Sequence, residues 1–284
     1  MHLKNEMESF IGHISVRRPS NTVKAYKTDL EKFGEYCESN GINIIDATSL
    51  TIDSYLARLK DAGFKPRTLA RKLSSLSMFY RYLIRQGTIN ASPVENVEGF
   101  KVSKRKPDFL NFDEIKALRL ASGGDQMLTA LVEFLLATGV RRSELCSLDR
   151  RMVDFEVKTV RVIGKGDIER AVMFSSLCSN ALQEYINNRK DDNEALFVNL
   201  KGQRLNQNMV YYRIRKLGYM AIGRGISPHL FRHTCATYLM DGGMTLAEVQ
   251  ELLGHADISS TAIYTHPTPS LRQHYDDAIG RIER

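Results

Sequence analysis

Residues 65–87, KPRTLARKLSSLSMFYRYLIRQG, carry Leu69, Leu73, Leu76, Tyr80 and Leu83 on one helical stripe and Arg67, Arg71, Ser74, Arg81 and Arg85 on the opposite one. Apolar residues recurring every three and four positions over this length specify a helix that has to bury one face. Its neighbours in the chain have the same character. Val23, Tyr26, Leu30, Phe33 and Cys37 recur at helical spacing between Ser20, a natural N-cap, and Gly41, and shorter helices are expected at 3–14 and 50–62. Four amphipathic helices of this size pack as one compact domain, assigned to residues 1–97. The arginine stripe of the fourth has two readings, a face for a polyanion or a solvated surface.

Charge bears on that choice. Residues 1–106 hold 18 Lys and Arg against 11 Asp and Glu, whereas residues 107–284 hold 22 of each, so the whole surplus of +7 lies in the first part. Residues 98–110, EGFKVSKRKPDFL, add Lys101, Lys104, Arg105 and Lys106 without any periodicity. Residues 98–109 are read as a basic interdomain linker of a kind that can cross a nucleic-acid backbone. No apolar run approaches the roughly 20 residues of a membrane helix, and the opening MHLKNEMESF lacks the apolar stretch of a secretory signal. The chain is therefore expected inside the cell and off the membrane. Cys37, Cys146, Cys178 and Cys235 stand far apart with no C-x-x-C pair, which reads as buried thiols rather than a zinc ribbon or redox dithiol.

A second domain is assigned to 110–284. Asn111 and Asp113 open a helix, and DQMLTALVEFLLATG forms another that stops at Gly139. KTVRVIGKGDIERAVMF (158–174) reads as two strands joined around Gly164, Lys165, Gly166 and Asp167. Helices return from 175, interrupted by a short extended piece at LFVN. The fold class is thus mainly α with a small antiparallel β-sheet.

SPHLFRHTCATYL (227–239) raises the chemical question, because His229, Arg232 and His233 share a helix face. A metalloprotease helix would need Glu where Leu230 stands, and no acidic or cysteine cluster supplies a third ligand. A phosphate suits the segment better: Ser227 as N-cap and Pro228 at the first helical position put His229 in a turn whose free N–H groups already attract anions. Arg232 adds a fork for two phosphate oxygens. Taken alone, the pattern also fits a purely structural helix. In ATGVRRSELCSL, Arg141 precedes a helix with Glu144 three positions on to hold its guanidinium, and Arg142 competes for that place. Further on, Thr245 and Glu248 form a capping box, Gly254 ends that helix, His255 follows in the turn, and Asp257 can cap a helix bearing Tyr264.

Taken in order, ATGVRRSEL, VRVIGKGDIERAV, SPHLFRHTCATYL and ELLGHADISSTAIYTH resemble the tyrosine recombinase (integrase) family, over about residues 20–266. The likeness is greatest to its short Xer-type members and to transposon-encoded cointegrate resolvases. It implies a four-helix, SAM-like core-binding domain followed by an α+β catalytic domain. It also implies a site-specific recombinase that cuts and rejoins double-stranded DNA through a 3′-phosphotyrosyl bond without metal, ATP or any other cofactor.

By that resemblance Arg141 and Arg232 hold the scissile phosphate, Lys165 protonates the leaving oxygen, His229 and His255 bond the phosphate and assist proton movement, and Tyr264 attacks. Glu144 supports Arg141, while Arg142 and His233 are expected to pack or pair locally. Arg67, Arg71, Arg81, Arg85, Lys101, Lys104, Arg105 and Lys106 are the expected DNA-backbone contacts. The resemblance further implies a homo-tetramer on two paired sites, with a second recombinase or an accessory factor as further partners, in a bacterial or archaeal cytoplasm. A tail from about residue 269 is expected to dock on a neighbouring protomer. Two rival readings are a type IB topoisomerase-like nicking and closing enzyme and a DNA-binding regulator.

Overall fold

The computed structural model describes residues 2–101, 108–164, 169–254 and 268–283. The chain forms two compact units, Met1–Lys104 and Arg105–Arg284. Among the described residues no helix is long and apolar enough to cross a membrane.

The first unit consists of α1 (His2–Ser15), α2 (Ser20–Ser39), α3 (Ser49–Asp61) and α4 (Pro66–Arg85). In α4 the sequence stripe is realised: Leu69, Leu76, Tyr80 and Leu83 are buried and Leu73 packs against the same core, while Arg67, Arg71, Ser74, Arg81 and Arg85 face solvent. Phe10, Phe33, Ile52 and Phe79 complete the core, and Tyr80 satisfies its hydroxyl by donating to the Ile44 carbonyl at 2.8 Å. Ser20 is not the cap of α2. Pro19, at φ −57° and ψ 144°, occupies that position and Ser20 becomes the first helical residue, with no side-chain capping bond.

Sequence patterning also gave no sign of Asp29, which is buried on α2. Its carboxylate accepts from Lys72 Nζ at 2.9 Å, from Ser75 Oγ at 3.3 Å and from Arg71. A buried carboxylate persists only with partners of this kind, so one of the stripe arginines also ties α4 to α2.

The second unit holds α5 (Phe112–Ser122), α6 (Gln126–Thr138), α7 (Arg142–Ser147), β1 (Val153–Asp154), β2 (Thr159–Ile163), β3 (Glu169–Met173), α8 (Ser176–Asn187), α9 (Gln207–Ile222), α10 (Pro228–Asp241), α11 (Leu246–Leu253) and α12 (Pro269–Glu283). Helix α6 is buried on nearly every side, from Met127 and from Ala130 through Thr138, as a helix apolar all round must be. Around it the expected hairpin appears as β2 paired antiparallel with β3 in the register Val160↔Val172, and β1 adds a third strand at the β2 edge. The extended piece at LFVN is not a strand. It contributes one isolated bridge, Val198↔Arg204.

The carboxy-terminal helix packs on the second unit of its own chain. Helix α12 lies beside α10, burying Tyr275, Ala278 and Ile279. Tyr275 donates to the Ala137 carbonyl of α6 at 2.9 Å, and Arg272 donates to the Lys158 and Phe174 carbonyls at 3.2 Å each. Gly242 makes the close approach possible, since a Cβ there would lie 2.2 Å from that of Ala278. Tyr275→Ala removes the largest of these side chains and should cost about 3–5 kcal/mol of unfolding free energy, measured by urea titration of the full chain. A cost below about 1 kcal/mol would mean the helix contributes little in this position.

Candidate active site

Helix α6 ends at Gly139, whose left-handed φ of 55° turns the chain where a Cβ would meet Leu253 Cδ2 at 2.6 Å. Val140 is buried, and Arg141 becomes the N-cap of α7. Its backbone N–H donates to Glu144 Oε2 at 2.8 Å, its guanidinium donates to Glu144 Oε1 at 2.8 Å, and a second amino group donates to the Gly254 carbonyl at 2.6 Å. The anticipated Arg141–Glu144 pair is thus present. Arg141 keeps 38% of its side chain exposed, while Glu144 is buried at 4%.

Arg232 enters the same region from α10 and is buried. It donates to the Gly139 carbonyl at 2.9 Å and to the Leu253 carbonyl at 2.7 Å. Burial, with Arg141 adding positive charge nearby, lowers its pKa to about 10, which leaves it a cation at neutral pH. Ser227 occupies the N-cap position ahead of Pro228, as its sequence suggests, but its side chain makes no capping bond. The first-turn N–H groups of α10 are therefore not consumed by that hydroxyl.

A third arginine was not anticipated. Arg170, on β3, donates to Glu144 Oε1 at 3.1 Å, to Glu144 Oε2 at 2.9 Å and to the Leu252 carbonyl at 3.2 Å. Burial alone would raise the Glu144 pKa, but hydrogen bonds and charge from Arg170, then bonds from Arg141, bring it below the ordinary value. The sequence did carry one signal: Arg170 lies two residues before buried Val172, hence on the inward side of its strand, where a charge needs a partner.

The three arginines share one target. Arg170, Arg232 and Arg141 donate to the carbonyls of Leu252, Leu253 and Gly254 in turn, the last carbonyls of α11. Those groups have no intrahelical donors and sit at the negative end of the helix dipole. Gly254, at φ 67°, closes the helix, and the Thr245–Glu248 capping box opens it as expected. Helix α11 is thereby fixed at the point where the chain continues to His255.

His229 faces solvent, with its ring 4.6 Å from that of His233 in an edge-on contact. Partial burial, then the charges of His233, Arg232 and Arg141, lower its pKa, so the neutral ring is favoured at pH 7. It lines a cleft of about 510 Å³ together with His233, Tyr211, Arg215, Arg224 and Asp108. Arg215 lies over the rings of Tyr211 and Tyr219, and Arg142 over Tyr211, so Arg142 packs locally as anticipated. Lys165, His255 and Tyr264 lie outside the described residues, as do Lys104, Arg105 and Lys106. Lys101 is exposed in the first unit with Arg67, Arg71, Arg81 and Arg85. Among the described residues no group of three or more His, Cys, Asp or Glu is placed to hold a metal ion.

Residues 108–270 match the phage integrase family, and residues 7–87 match the phage integrase N-terminal SAM-like domain. The chain is 34% identical to tyrosine recombinase XerC of Pseudomonas putida, over 99% of its own length and 98% of that protein. It is 35% identical to tyrosine recombinase XerD of Bifidobacterium longum, over 92% of each. Its fold is also that of a lambda integrase fragment, residues 75–356, whose dimer is bound to a core site, with a TM-score of 0.72 at 18% identity over 93% of this chain and 97% of that one. The chain belongs to the phage integrase family and is a tyrosine recombinase, similar to Xer-type members.

Proposed function

We propose that this enzyme is a site-specific recombinase that breaks and rejoins duplex DNA through a 3′-phosphotyrosyl bond. The observation that carries the reading is the convergence of Arg141 and Arg232 on the carboxyl end of α11, the helix whose chain runs on to His255 and Tyr264. In this scheme the Tyr264 hydroxyl attacks the scissile phosphorus and passes its proton to the imidazole of His229 or His255. The bond from phosphorus to the 5′ oxygen breaks, and Lys165 supplies a proton to that oxygen. A tyrosine with its ordinary pKa of ~10 is a weak nucleophile at neutral pH. Arg141, Arg232 and Lys165 offset the charge that grows on the phosphoryl oxygens, with His229 and His255 as further hydrogen-bond partners. The phosphotyrosyl ester is close in energy to the phosphodiester it replaces, so a new 5′ hydroxyl restores DNA without a nucleotide or metal cofactor.

In the first unit Arg67, Arg81 and Arg85, with Lys101, Lys104, Arg105 and Lys106, would contact the DNA backbone, giving affinity that falls with salt. Arg71 would contribute less, because its guanidinium is already engaged by Asp29. Four protomers on two sites would close a cyclic ring of heterologous contacts. A second recombinase or accessory factor could join it. The task would be resolution of chromosome or plasmid dimers or of transposon cointegrates in a bacterial or archaeal cytoplasm.

The test has two stages. The protein is incubated in EDTA with a random duplex library, and DNA in SDS-resistant adducts is sequenced to define the site. Two copies of that site are then placed in one plasmid. Deletion or inversion products are expected. Relaxed topoisomers without recombinants would instead indicate a nicking and closing enzyme, and salt-sensitive binding without adducts a regulator.

A further inference from the structure

Arg170 has no part in the scheme above, yet it makes three hydrogen bonds within the site, as many as Arg141. We propose that Arg170 is a positioning residue for strand cleavage: its charge offsets that of Glu144, so that Arg141 meets the scissile phosphate as a full cation. The inference rests on the recombinase reading of the same site.

The geometry supplies the argument. Glu144 accepts four hydrogen bonds, two from Arg141 and two from Arg170, with both oxygens shared between the two residues. With Arg141 as sole partner, a buried carboxylate would cancel the guanidinium charge and oppose an arriving phosphate. With Arg170 present the three groups together carry one positive charge, and Arg141 is the exposed member of the set. Glu144 can then orient Arg141 without neutralising it.

A second observation places Arg170 against the other group that orients Arg141. The guanidinium lies over bare Gly254, where a Cβ would stand 2.9 Å from both Cζ and Nε, and Nε–H donates to the Leu252 carbonyl. Arg170 therefore also packs beside the turn that presents the Gly254 carbonyl to Arg141.

The experiment measures single-turnover formation of the covalent adduct at saturating site DNA for the full-length wild type, R170M, R170K, E144Q and the double variant R170M/E144Q, with DNA affinity measured in parallel. R170M is expected to slow adduct formation by at least about tenfold, the scale of losing an electrostatic contribution to a phosphoryl transition state. Its DNA affinity should stay within about threefold, because most phosphate contacts lie elsewhere. The deciding comparison is the double variant. Once Glu144 is neutral the missing cation matters less, so R170M/E144Q should cleave faster than R170M, and R170K should keep more activity than R170M.

A purely structural Arg170 predicts the opposite order, with the double variant as slow as R170M or slower. That result, or R170M cleaving like the wild type, would overturn the proposal. R170Q, which keeps hydrogen-bond donors without the charge, replaces R170M in the same comparison should R170M not fold. Wild type and Tyr264→Phe are run alongside. Adduct formed by neither would bring down the recombinase reading itself, and adduct formed equally by both would move the nucleophile away from Tyr264; both results are distinct from any ordering among the Arg170 variants.

Discussion

Arg232→Lys should slow strand cleavage by about 10²- to 10³-fold, the range seen when one preorganised donor to a developing oxyanion is lost. The positive charge survives this change and the geometry does not. Two of the guanidinium's five N–H groups reach carbonyls on different elements, Gly139 at the end of α6 and Leu253 at the end of α11. The planar fork fixes the directions of its other N–H groups, which in the proposed scheme would address a phosphate. An ammonium is a point donor, and it cannot span both carbonyls and also address an anion from the same position. DNA affinity should change by less than about tenfold, because affinity is spread over many backbone contacts. Adduct formation under single turnover, paired with a binding isotherm, separates the two effects. Cleavage by Arg232→Lys within about threefold of wild type would show that charge alone is needed there, against the known non-equivalence of arginine and lysine at forked sites.

Why Arg232 was legible in the sequence while Arg170 was not follows from where each charge sits. Arg232 falls one turn into a helix that Pro228 announces, beside histidines, so its place on that helix is a local matter even though its carbonyl partners lie 93 and 21 residues away. Arg141 and Glu144 are three apart across a helix start, and the resulting ion pair is again a matter of nearby residues. Arg170 and Asp29 meet partners far away in the chain, Glu144 at a separation of 26 and Lys72 at 43. No periodicity encodes such a meeting, and the only sequence trace is a charge on a face that otherwise points inward. Helices followed the same division. Capping boxes and apolar stripes gave α4, α6 and α11 closely, because both are short-range devices. The cis docking of α12 depends on a groove whose narrowest point is Gly242 facing Ala278, and that complementarity exists only after α10 has packed.

Tyr264→Phe should abolish the SDS-resistant protein–DNA adduct altogether, while binding to the same site stays within about twofold and keeps the same salt slope. The change removes one oxygen atom and leaves the ring, so packing and charge are unaltered and only the nucleophile is lost. The loss should be complete because water admitted to the site would hydrolyse DNA and leave no protein-linked product. The site's cations predict a companion result. If guanidinium and ammonium groups offset the phosphoryl charge, wild-type adduct should form equally well in EDTA, without a divalent ion as Lewis acid. Adduct with Tyr264→Phe would move the nucleophile to another residue. Adduct that requires added Mg²⁺ would leave Tyr264 in place but reassign part of the charge stabilisation from Arg141, Arg232 and Lys165 to a metal. The two results therefore probe separate halves of the mechanism, the attacking group and the electrostatic cradle.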